Sequence, residues 1–344
     1  MPVMNESSLY RKYRPQKFDE LLGQDHIVQT LTGVLAADQR PQAYLFAGDR
    51  GTGKTTAARI FARELGCSPE DIYEIDAASH RQVADVEEIR ESVRTLPMSS
   101  QHKVYILDEV HMLSKHAFNA LLKTIEEPPR HVIFMMATTE KHKVPDTILS
   151  RCQVLEFKNP STTMLQDMVE KIAKTEKRSI EPNAAELVAM LGRGSFRDTL
   201  SILQKVLISI SDAKISRESV EAITNTPPLA LVHDIVAGIA GGELQAALDA
   251  LKIAEKHNYD AEMVSEMLLG RLRYVLMLRF DKKASDWLSE DIGDEELKKL
   301  QGFVDSKTIT SDTLKRMLEA HFAIKQSFAK YIPLELGVID ILGE

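Results

Sequence analysis

A chain of 344 residues, 44% of them hydrophobic, can bury a sizeable core, and its length indicates two or three domains. Its two cysteines, Cys67 and Cys152, exclude a disulfide framework and a four-thiolate metal site. The N-terminal segment lacks the apolar core of a signal peptide, and no apolar run approaches the length of a membrane span, so we expect a cytoplasmic protein.

The net charge of -8 opposes nucleic-acid binding by the chain as a whole, because phosphate contacts depend on Lys and Arg. The charge is unevenly distributed. Residues 223–344 carry 14 Lys and Arg against 20 Asp and Glu, whereas the preceding residues are nearly neutral. We therefore expect any DNA contact to come from local basic surface in the first two thirds of the chain and not from the acidic C-terminal third.

Short apolar segments alternate with amphipathic ones over the first 160 residues, which is typical of a parallel sheet with crossover helices. Five segments are predicted to be strands, because they are rich in β-branched or aromatic residues and are bounded by polar residues, Gly or Pro. They are residues 43–48, 71–77, 103–109, 131–139 and 152–157. Between the second and third, apolar residues recur every three or four positions from Val83 to Val93, which predicts a helix and completes a βαβ unit.

The sequence after the first predicted strand satisfies the pattern G-x-x-x-x-G-K-[ST] and opens a predicted helix. Glycines let backbone N–H groups curl around phosphates, and the start of the helix directs its positive end at them. Lys54 would reach the β and γ phosphates, and the Thr55 hydroxyl would bind Mg²⁺. The alternative, a glycine-rich turn with an exposed lysine, is disfavoured by the strand–turn–helix context. The residues predicted to hold ATP here are Gly48, Asp49, Arg50, Gly51, Thr52, Gly53, Lys54, Thr55 and Thr56.

The third predicted strand ends in two carboxylates, Asp108 and Glu109, at the edge of the sheet where ligands of open α/β proteins bind. Asp108 would hold the Mg²⁺ shell, and Glu109 would orient and activate the attacking water. An acidic pair at a strand end is otherwise a common solvated feature. The fourth strand ends in Thr138 and Thr139, where a hydroxyl could contact the γ-phosphate or the water, although threonine is frequent in strands regardless of function.

After residue 160 the strand signals stop, and helical patterns such as residues 163–177 and 184–194 follow. The pair Pro227-Pro228 then interrupts the chain. The remainder is rich in Leu, Ala, Met and charged residues with helical periodicity. We therefore predict a nucleotide-binding domain over residues 1–160, a small helical domain over 161–225 and an all-helical domain over 226–344.

These residues resemble the gamma/tau family of bacterial DNA polymerase III, within the AAA+ sliding-clamp loaders. The resemblance is almost continuous through the first two predicted domains and reappears near the end, at residues 333–336. Besides the phosphate loop, the motifs that carry it are Tyr13-Arg14-Pro15, Phe18, Gly23-Gln24, and residues 74–79, 107–114, 119–124, 126–129, 137–139, 150–152 and 194–198.

The resemblance implies an α/β fold with an AAA+ P-loop NTPase core and a parallel sheet, a small helical lid over residues 161–225 and a C-terminal helical collar. It implies an ATP-binding and ATP-hydrolysing motor that loads the sliding clamp onto primed DNA during replication. The expected cofactors are ATP and Mg²⁺. The expected partners are other clamp-loader subunits, joined in a ring through the collar, together with the sliding clamp and primer–template DNA, with no membrane.

The resemblance also implies roles for individual residues. Arg151 would be an arginine finger that enters the ATP site of a neighbouring subunit, whereas without a family context a surface or salt-bridged arginine is favoured. Arg197 would be the second sensor, a lid arginine at the γ-phosphate, and Thr139, with Thr138 beside it, would be the first. The residues expected to carry the chemistry are Lys54, Asp108, Glu109 and Arg151.

The resemblance places residues 9–15 against the adenine edge and the lid, although a basic, aromatic segment could equally be a DNA arm. Arg81 and Gln82 stand where relatives track the DNA backbone. Many relatives carry a four-cysteine zinc module after the phosphate-loop helix, but here residues 64–69 pass directly to the next strand, so no zinc is expected. The helicase- and polymerase-binding segments of the longer tau form are likewise not expected in this chain.

Two other functions fit parts of the sequence. A branch-migration or helicase-type AAA+ motor shares the fold, but we expect such a motor to end in a basic DNA-reading module, and the C-terminal third is acidic. A structural loader subunit that binds nucleotide without hydrolysing it would not need Glu109 or Arg151. Polymerase activity has no support, because no further set of carboxylates of the required kind is evident.

Overall fold

The computed structural model describes residues 8–79, 83–210, 212–281, 283–292 and 294–343. They form two compact units. The first comprises the described residues up to Leu165 together with Ala189–Gln204, and the second comprises Gln166–Val188 together with those from Lys205 onward. These units are defined by packing, whereas the sequence boundaries at residues 160 and 225 rest on composition, so the three-domain division stays a prediction.

The first unit contains a five-stranded parallel sheet with the strand order β2-β3-β4-β1-β5. Its strands are β1 (Ala43–Ala47), β2 (Ile72–Asp76), β3 (Lys103–Asp108), β4 (Val132–Thr138) and β5 (Gln153–Glu156). All five predicted strands are confirmed, each one or two residues shorter than expected. Because the strands are parallel, Ala47 at the end of β1 pairs with Thr138 at the end of β4, and polar groups that follow the strands collect at one edge.

Helices cover both faces of this sheet. Those that precede residue 160 are α1 (Leu9–Lys12), α2 (Asp25–Ala36), α3 (Lys54–Glu64), α4 (Val83–Val93), α5 (Lys115–Glu126) and α6 (Asp146–Leu149). One hydrophobic cluster joins α2 and α3 to the sheet, and another joins α4, α5 and α6 to it. Every residue of β1 and β4 is buried, as expected of central strands covered on both sides.

The rest of the described chain is mainly helical. Its helices are α7 (Thr162–Thr175), α8 (Pro182–Leu191), α9 (Phe196–Ser209), α10 (Arg217–Thr224), α11 (Leu229–Gly241), α12 (Leu244–Lys256), α13 (Ala261–Phe280), α14 (Ala284–Ile292), α15 (Asp294–Gln301), α16 (Ser311–Ile324) and α17 (Ile332–Leu342). The helical predictions over residues 163–177 and 184–194 are confirmed. In the described part of the chain, no helix combines the length and the apolar character that crossing a bilayer requires.

The expectation that strands stop after residue 160 was wrong. Two strands of two residues each, β6 (Ser179–Ile180) and β7 (Lys214–Ile215), pair in parallel in the second unit. Their backbone bonding continues on either side, where Ser179 N donates to Ala213 O and Glu181 N donates to Ile215 O. A two-residue strand shows no alternation of apolar and polar side chains, so sequence periodicity cannot reveal it.

Six buried or nearly buried charged side chains form a cluster in the second unit, the buried charge cluster. Its members are Glu186, Arg217, Glu221, His233, Arg271 and Glu296. Arg217 lies 3.2 Å from Glu186 and 2.9 Å from Glu221. Arg271 donates to Glu296 at 3.2 Å, and His233 lies 2.9 Å from the same carboxylate oxygen. Burial raises the pKa of both Glu186 and Glu221.

Candidate nucleotide site

The turn between β1 and α3 depends on glycine. Gly48, Gly51 and Gly53 have φ angles of 152°, 76° and 103°, which non-glycine residues rarely adopt. A Cβ atom on Gly48 would lie 2.8 Å from atoms of Phe157, and one on Gly51 would lie 2.0 Å from Ser195 Oγ. The turn therefore takes a defined shape, closely packed against its neighbours, from which backbone N–H groups can bind an anion.

Lys54 is the first residue of α3, and only 6% of it is exposed. Its Nζ donates to the carbonyl oxygens of Gly48 and Asp49, at 2.7 Å each. Burial lowers the pKa of Lys54, and the charges of Glu109, Asp108 and Asp49 oppose that shift. A buried ammonium group is costly unless it is compensated, and among the described residues only two neutral carbonyl groups bond to this one. The position suits a phosphate ligand.

Thr55 and Asp108 come from motifs 53 residues apart and meet directly. Thr55 Oγ1 donates to Asp108 Oδ2 at 2.9 Å. Burial raises the pKa of Asp108, while the hydrogen bond from Thr55 works in the opposite direction. A hydroxyl and a carboxylate oxygen side by side are hard oxygen ligands of the kind that Mg²⁺ binds, so the donor set fits that ion.

Glu109 lies next to Thr139, which the family resemblance favoured as the first sensor. Thr139 Oγ1 donates to Glu109 Oε2 at 3.1 Å. Thr138 is buried instead, and its hydroxyl lies 3.0 Å from His111 Nδ1. Glu109 also has a left-handed backbone, with φ of 49° and ψ of 45°, which is uncommon for a residue with a side chain. Two groups expected to act on the attacking water are thus bonded to each other.

The remaining residues of the predicted loop differ in accessibility. Thr52 is buried, and its hydroxyl donates to Asp49 O at 2.8 Å, which closes the turn from inside. The Asp49 carboxylate accepts a 2.6 Å hydrogen bond from Asn159 Nδ2. Arg50 is exposed and Thr56 is partly exposed. Asp49 and Thr52 therefore have structural contacts in the loop, which sequence spacing alone did not indicate.

Arg197 is exposed and belongs to a segment that contacts the phosphate loop. Phe196 N, the neighbouring amide, donates to Gly51 O at 3.0 Å. The Arg197 guanidinium lies over the ring of Tyr10, 5.0 Å from its centroid, in a cation–π contact. The N-terminal segment is also held to α9, because Leu9 N donates to Gln204 Oε1 at 2.8 Å. Sequence reasoning did not pair Tyr10 with Arg197.

Arg151 lies at the opposite edge of the sheet. It precedes β5, whereas the phosphate loop follows the carboxyl end of β1, and these strands are parallel neighbours. Its side chain is 38% exposed and lies 2.6 Å from Glu126 Oε1, and its Nη1 donates to Thr147 O. The structure therefore brings Lys54, Thr55, Asp108, Glu109 and Thr139 together and leaves Arg151 apart from them. Arg81 and Gln82 lie outside the described residues.

Comparison with known sequences gives consistent matches. A sequence profile described as "DNA polymerase III, delta subunit" matches residues 68–161. DNA polymerase III subunit tau of Bacillus subtilis is 34% identical over 98% of this chain and 63% of its own length. The subunit tau of Escherichia coli is 37% identical over 86% of this chain and 48% of its own length. The chain thus spans between about half and two thirds of these relatives.

The fold of this chain is similar to that of proteins with solved structures. The RuvB Holliday junction branch migration motor of Thermotoga maritima gives a TM-score of 0.53 at 20% identity, covering 83% of this chain and 86% of its own. A substituted form of RuvB from the same organism also gives 0.53 at 20%, covering 85% and 90%. At this identity the likeness concerns the fold alone. It confirms the predicted α/β class with a parallel sheet and a helical C-terminal region.

Proposed function

This chain is a homologue of the bacterial DNA polymerase III gamma/tau subunits, and we propose that it is an ATP-hydrolysing motor subunit of a clamp loader. Its task would be to load the sliding clamp onto primed DNA during replication, in the cytoplasm. The observation that carries the proposal is the convergence of Lys54, Thr55, Asp108, Glu109 and Thr139 at one edge of the sheet. Branch migration rests on fold likeness alone and is not favoured.

The phosphate loop would bind ATP through its backbone N–H groups and Lys54. Phosphate oxygens would take the hydrogen bonds that Lys54 Nζ now donates to two carbonyl groups, which supplies the buried cation with anionic partners. Thr55 and Asp108 would hold Mg²⁺, which when bound neutralises charge on the β and γ phosphates. Arg197, in the segment that packs on Gly51, would meet the γ-phosphate as the second sensor.

Glu109 would act as the general base. Its carboxylate would take a proton from water while the water oxygen attacks the γ-phosphorus, and the bond to the β–γ bridging oxygen breaks to give ADP and phosphate. Thr139, whose hydroxyl already bonds to that carboxylate, would report the γ-phosphate as the first sensor. The two residues therefore couple water activation to the presence of the terminal phosphate.

Arg151 would complete the site of a neighbouring subunit. It lies at the sheet edge away from its own phosphate loop, and its guanidinium is at the surface. An arginine supplied across an interface can raise the hydrolysis rate by about 10³ to 10⁵. Hydrolysis would therefore depend on assembly with other loader subunits and on the arrival of primer–template DNA.

The proposed collar, residues 226–344, offers a surface for that assembly. Its last two helices and the turn between them expose large apolar side chains, and Phe328 is 97% exposed. These side chains are Leu318, Phe322, Phe328, Ile332, Leu336 and Ile339. Exposed apolar groups of this size concentrated in one segment are typical of an interaction surface. We propose that they join subunits in the ring.

The test is turnover and clamp deposition by the assembled loader. The chain would be co-purified with companion loader subunits and a sliding clamp, and ATP hydrolysis and clamp loading would be measured with and without primed DNA. We expect DNA-stimulated turnover that Arg151→Ala lowers by about 10³ or more, with ATP binding by the isolated chain retained. Undetectable turnover in the complete assembly would instead support a structural, non-hydrolysing subunit.

A further inference from the structure

A buried histidine connects the Glu109 carboxylate to the end of β4. His111 lies in the short turn after β3, and its side chain is only 6% exposed. Its Nδ1 lies 3.0 Å from Thr138 Oγ1 and 3.4 Å from Glu109 Oε2. Its Nε2 lies 3.4 Å from Glu140 Oε1. Both ring nitrogens therefore face polar groups, which fixes the orientation of the imidazole.

The groups around His111 are themselves held in place. Thr138 Oγ1 accepts a 3.0 Å hydrogen bond from Glu140 N, which fixes the turn that follows β4. The Glu140 carboxylate lies 2.7 Å from Lys143 Nζ and is partly exposed. The Nδ1 side of the ring therefore faces the nucleotide site and a buried hydroxyl, whereas the Nε2 side faces a carboxylate that already has another cation.

Glu109 needs such support because its backbone is strained. A non-glycine residue at φ of 49° costs conformational energy and persists only where its surroundings determine it. Its side chain is about one-third exposed, so packing alone does not fix the carboxylate. Among the described residues, Thr139 Oγ1 donates a 3.1 Å hydrogen bond to this carboxylate, and His111 Nδ1 lies 3.4 Å from the same oxygen.

We propose that His111 is a positioning residue for ATP hydrolysis, whose Nδ1 holds the Glu109 carboxylate in the orientation that activates the attacking water. It acts through Glu109 and does not touch the phosphates. This inference rests on the proposed ATPase function. It predicts a defect in the rate of hydrolysis and not in nucleotide binding, because misplacement of a catalytic group by about 1 Å can cost about 10²-fold in rate.

The two ring nitrogens can be tested separately. In His111→Asn the side-chain amide reaches the place of Nδ1, whereas in His111→Gln it reaches that of Nε2. We expect His111→Asn to retain kcat within about threefold of the unsubstituted complex, and His111→Gln to lose about tenfold or more. KM for ATP and the affinity for a non-hydrolysable ATP analogue should stay within about twofold. Thr138→Val, which removes the hydroxyl beside Nδ1, should lower kcat in the same way.

His142→Asn is the matched control, because this exposed histidine lies 3.7 Å from the same Glu140 carboxylate. It should leave kcat unchanged. Equal kcat values in His111→Asn and His111→Gln would overturn the inference. A fall in kcat confined to His111→Asn would also overturn it, as would a change in KM for ATP without a change in kcat. If the His111 variants do not fold, wild-type kcat in Thr138→Val is enough to overturn it. Absence of turnover in the unsubstituted complex would contradict the proposed function, which is a separate result.

Discussion

The nucleotide site and the buried charge cluster both hold charged groups away from water, but they compensate them differently. In the cluster, Arg217 is paired with Glu186 and Glu221. At the nucleotide site, Lys54 bonds only to backbone carbonyl oxygens among the described residues. Burial of charge alone therefore does not identify a binding site. A buried cation that forms no direct ion pair is a better indicator, because a ligand can supply the paired anion that the protein does not.

The largest expected effect is on chemistry at the nucleotide site. Glu109→Gln keeps the side-chain size and removes the proposed general base, so kcat of the assembled complex should fall by about 10² to 10⁴. Stability should change little, because this carboxylate is partly exposed. Single-turnover phosphate release measures the rate, and Glu127→Gln, at an exposed neighbouring motif, is the control. A wild-type rate in Glu109→Gln would place the base elsewhere.

A substitution in the buried charge cluster should instead lower the stability of the fold. Arg217→Met removes the cation that pairs with Glu186 and Glu221, and among the described cations only the charge of Arg271 still acts on Glu186. Removal of one partner from a buried ion pair costs about 3–5 kcal/mol of unfolding free energy. ATP affinity should be unaffected. Urea unfolding followed by circular dichroism measures the loss. Simultaneous replacement of all three residues by apolar ones of similar volume should recover most of it, and a triple variant as unstable as the single one would contradict this account.

A smaller effect, on ATP affinity, is expected where the phosphate loop contacts Ser195. Gly51→Ala would introduce a Cβ 2.0 Å from Ser195 Oγ at a φ of 76°, so one side must move. Strain of this kind costs roughly 1–3 kcal/mol, and we expect ATP affinity to fall by about 5- to 100-fold. Titration with a fluorescent ATP analogue measures it. Gly33→Ala in α2 is the matched control, because its added Cβ has no atom within 4 Å.

Asp71 illustrates a third way of compensating charge, through backbone N–H groups. Burial raises its pKa, but hydrogen bonds from the backbone N–H groups of Met98, Ser99 and Ser100, at 2.6 to 2.9 Å, lower that pKa well below its usual range. Its ionised form therefore stabilises the fold above about pH 4, the ordinary pKa of aspartate, and this stabilisation is lost as pH falls towards the folded-state pKa.

Asp71→Asn removes that pH dependence. The difference in unfolding free energy between the unsubstituted chain and this variant should be largest at neutral pH and should shrink steadily below about pH 4. Urea titrations at pH 7, 5 and 3 measure it. A difference that stays constant over this range would show that the carboxylate charge contributes nothing to stability.

The features of this molecule that the sequence could predict are those that depend on residues close together along the chain. The five strands follow from local periodicity, and the phosphate loop is a motif within eight positions. The contacts of Glu109 depend instead on strand order, because β3 and β4 must lie side by side before Glu109 can meet Thr139, thirty positions later. His111 stood within a recognised motif, and its place two residues after Glu109 was the available signal.

The individual contact of Tyr10 with Arg197 was not predicted, although the resemblance placed residues 9–15 against the lid and assigned Arg197 to that lid. The two residues are far apart in sequence, and an aromatic, basic N-terminal segment is compatible with several roles. The pairing of Arg151 with Glu126 likewise requires the end of α5 and the start of β5 to be neighbours in space. Local sequence patterns carry no information about such neighbours.

Under the proposed roles, the placement of Arg151 and the phosphate loop at opposite edges of one sheet would give each molecule a donor end and an acceptor end. A site would be completed where the donor end of one molecule meets the acceptor end of another. Repetition of that contact head-to-tail closes into a ring or leaves an open arc. In an open arc built from such molecules alone, the phosphate loop of the last molecule receives no arginine from a neighbour. The number of complete ATP sites is therefore one less than the number of subunits.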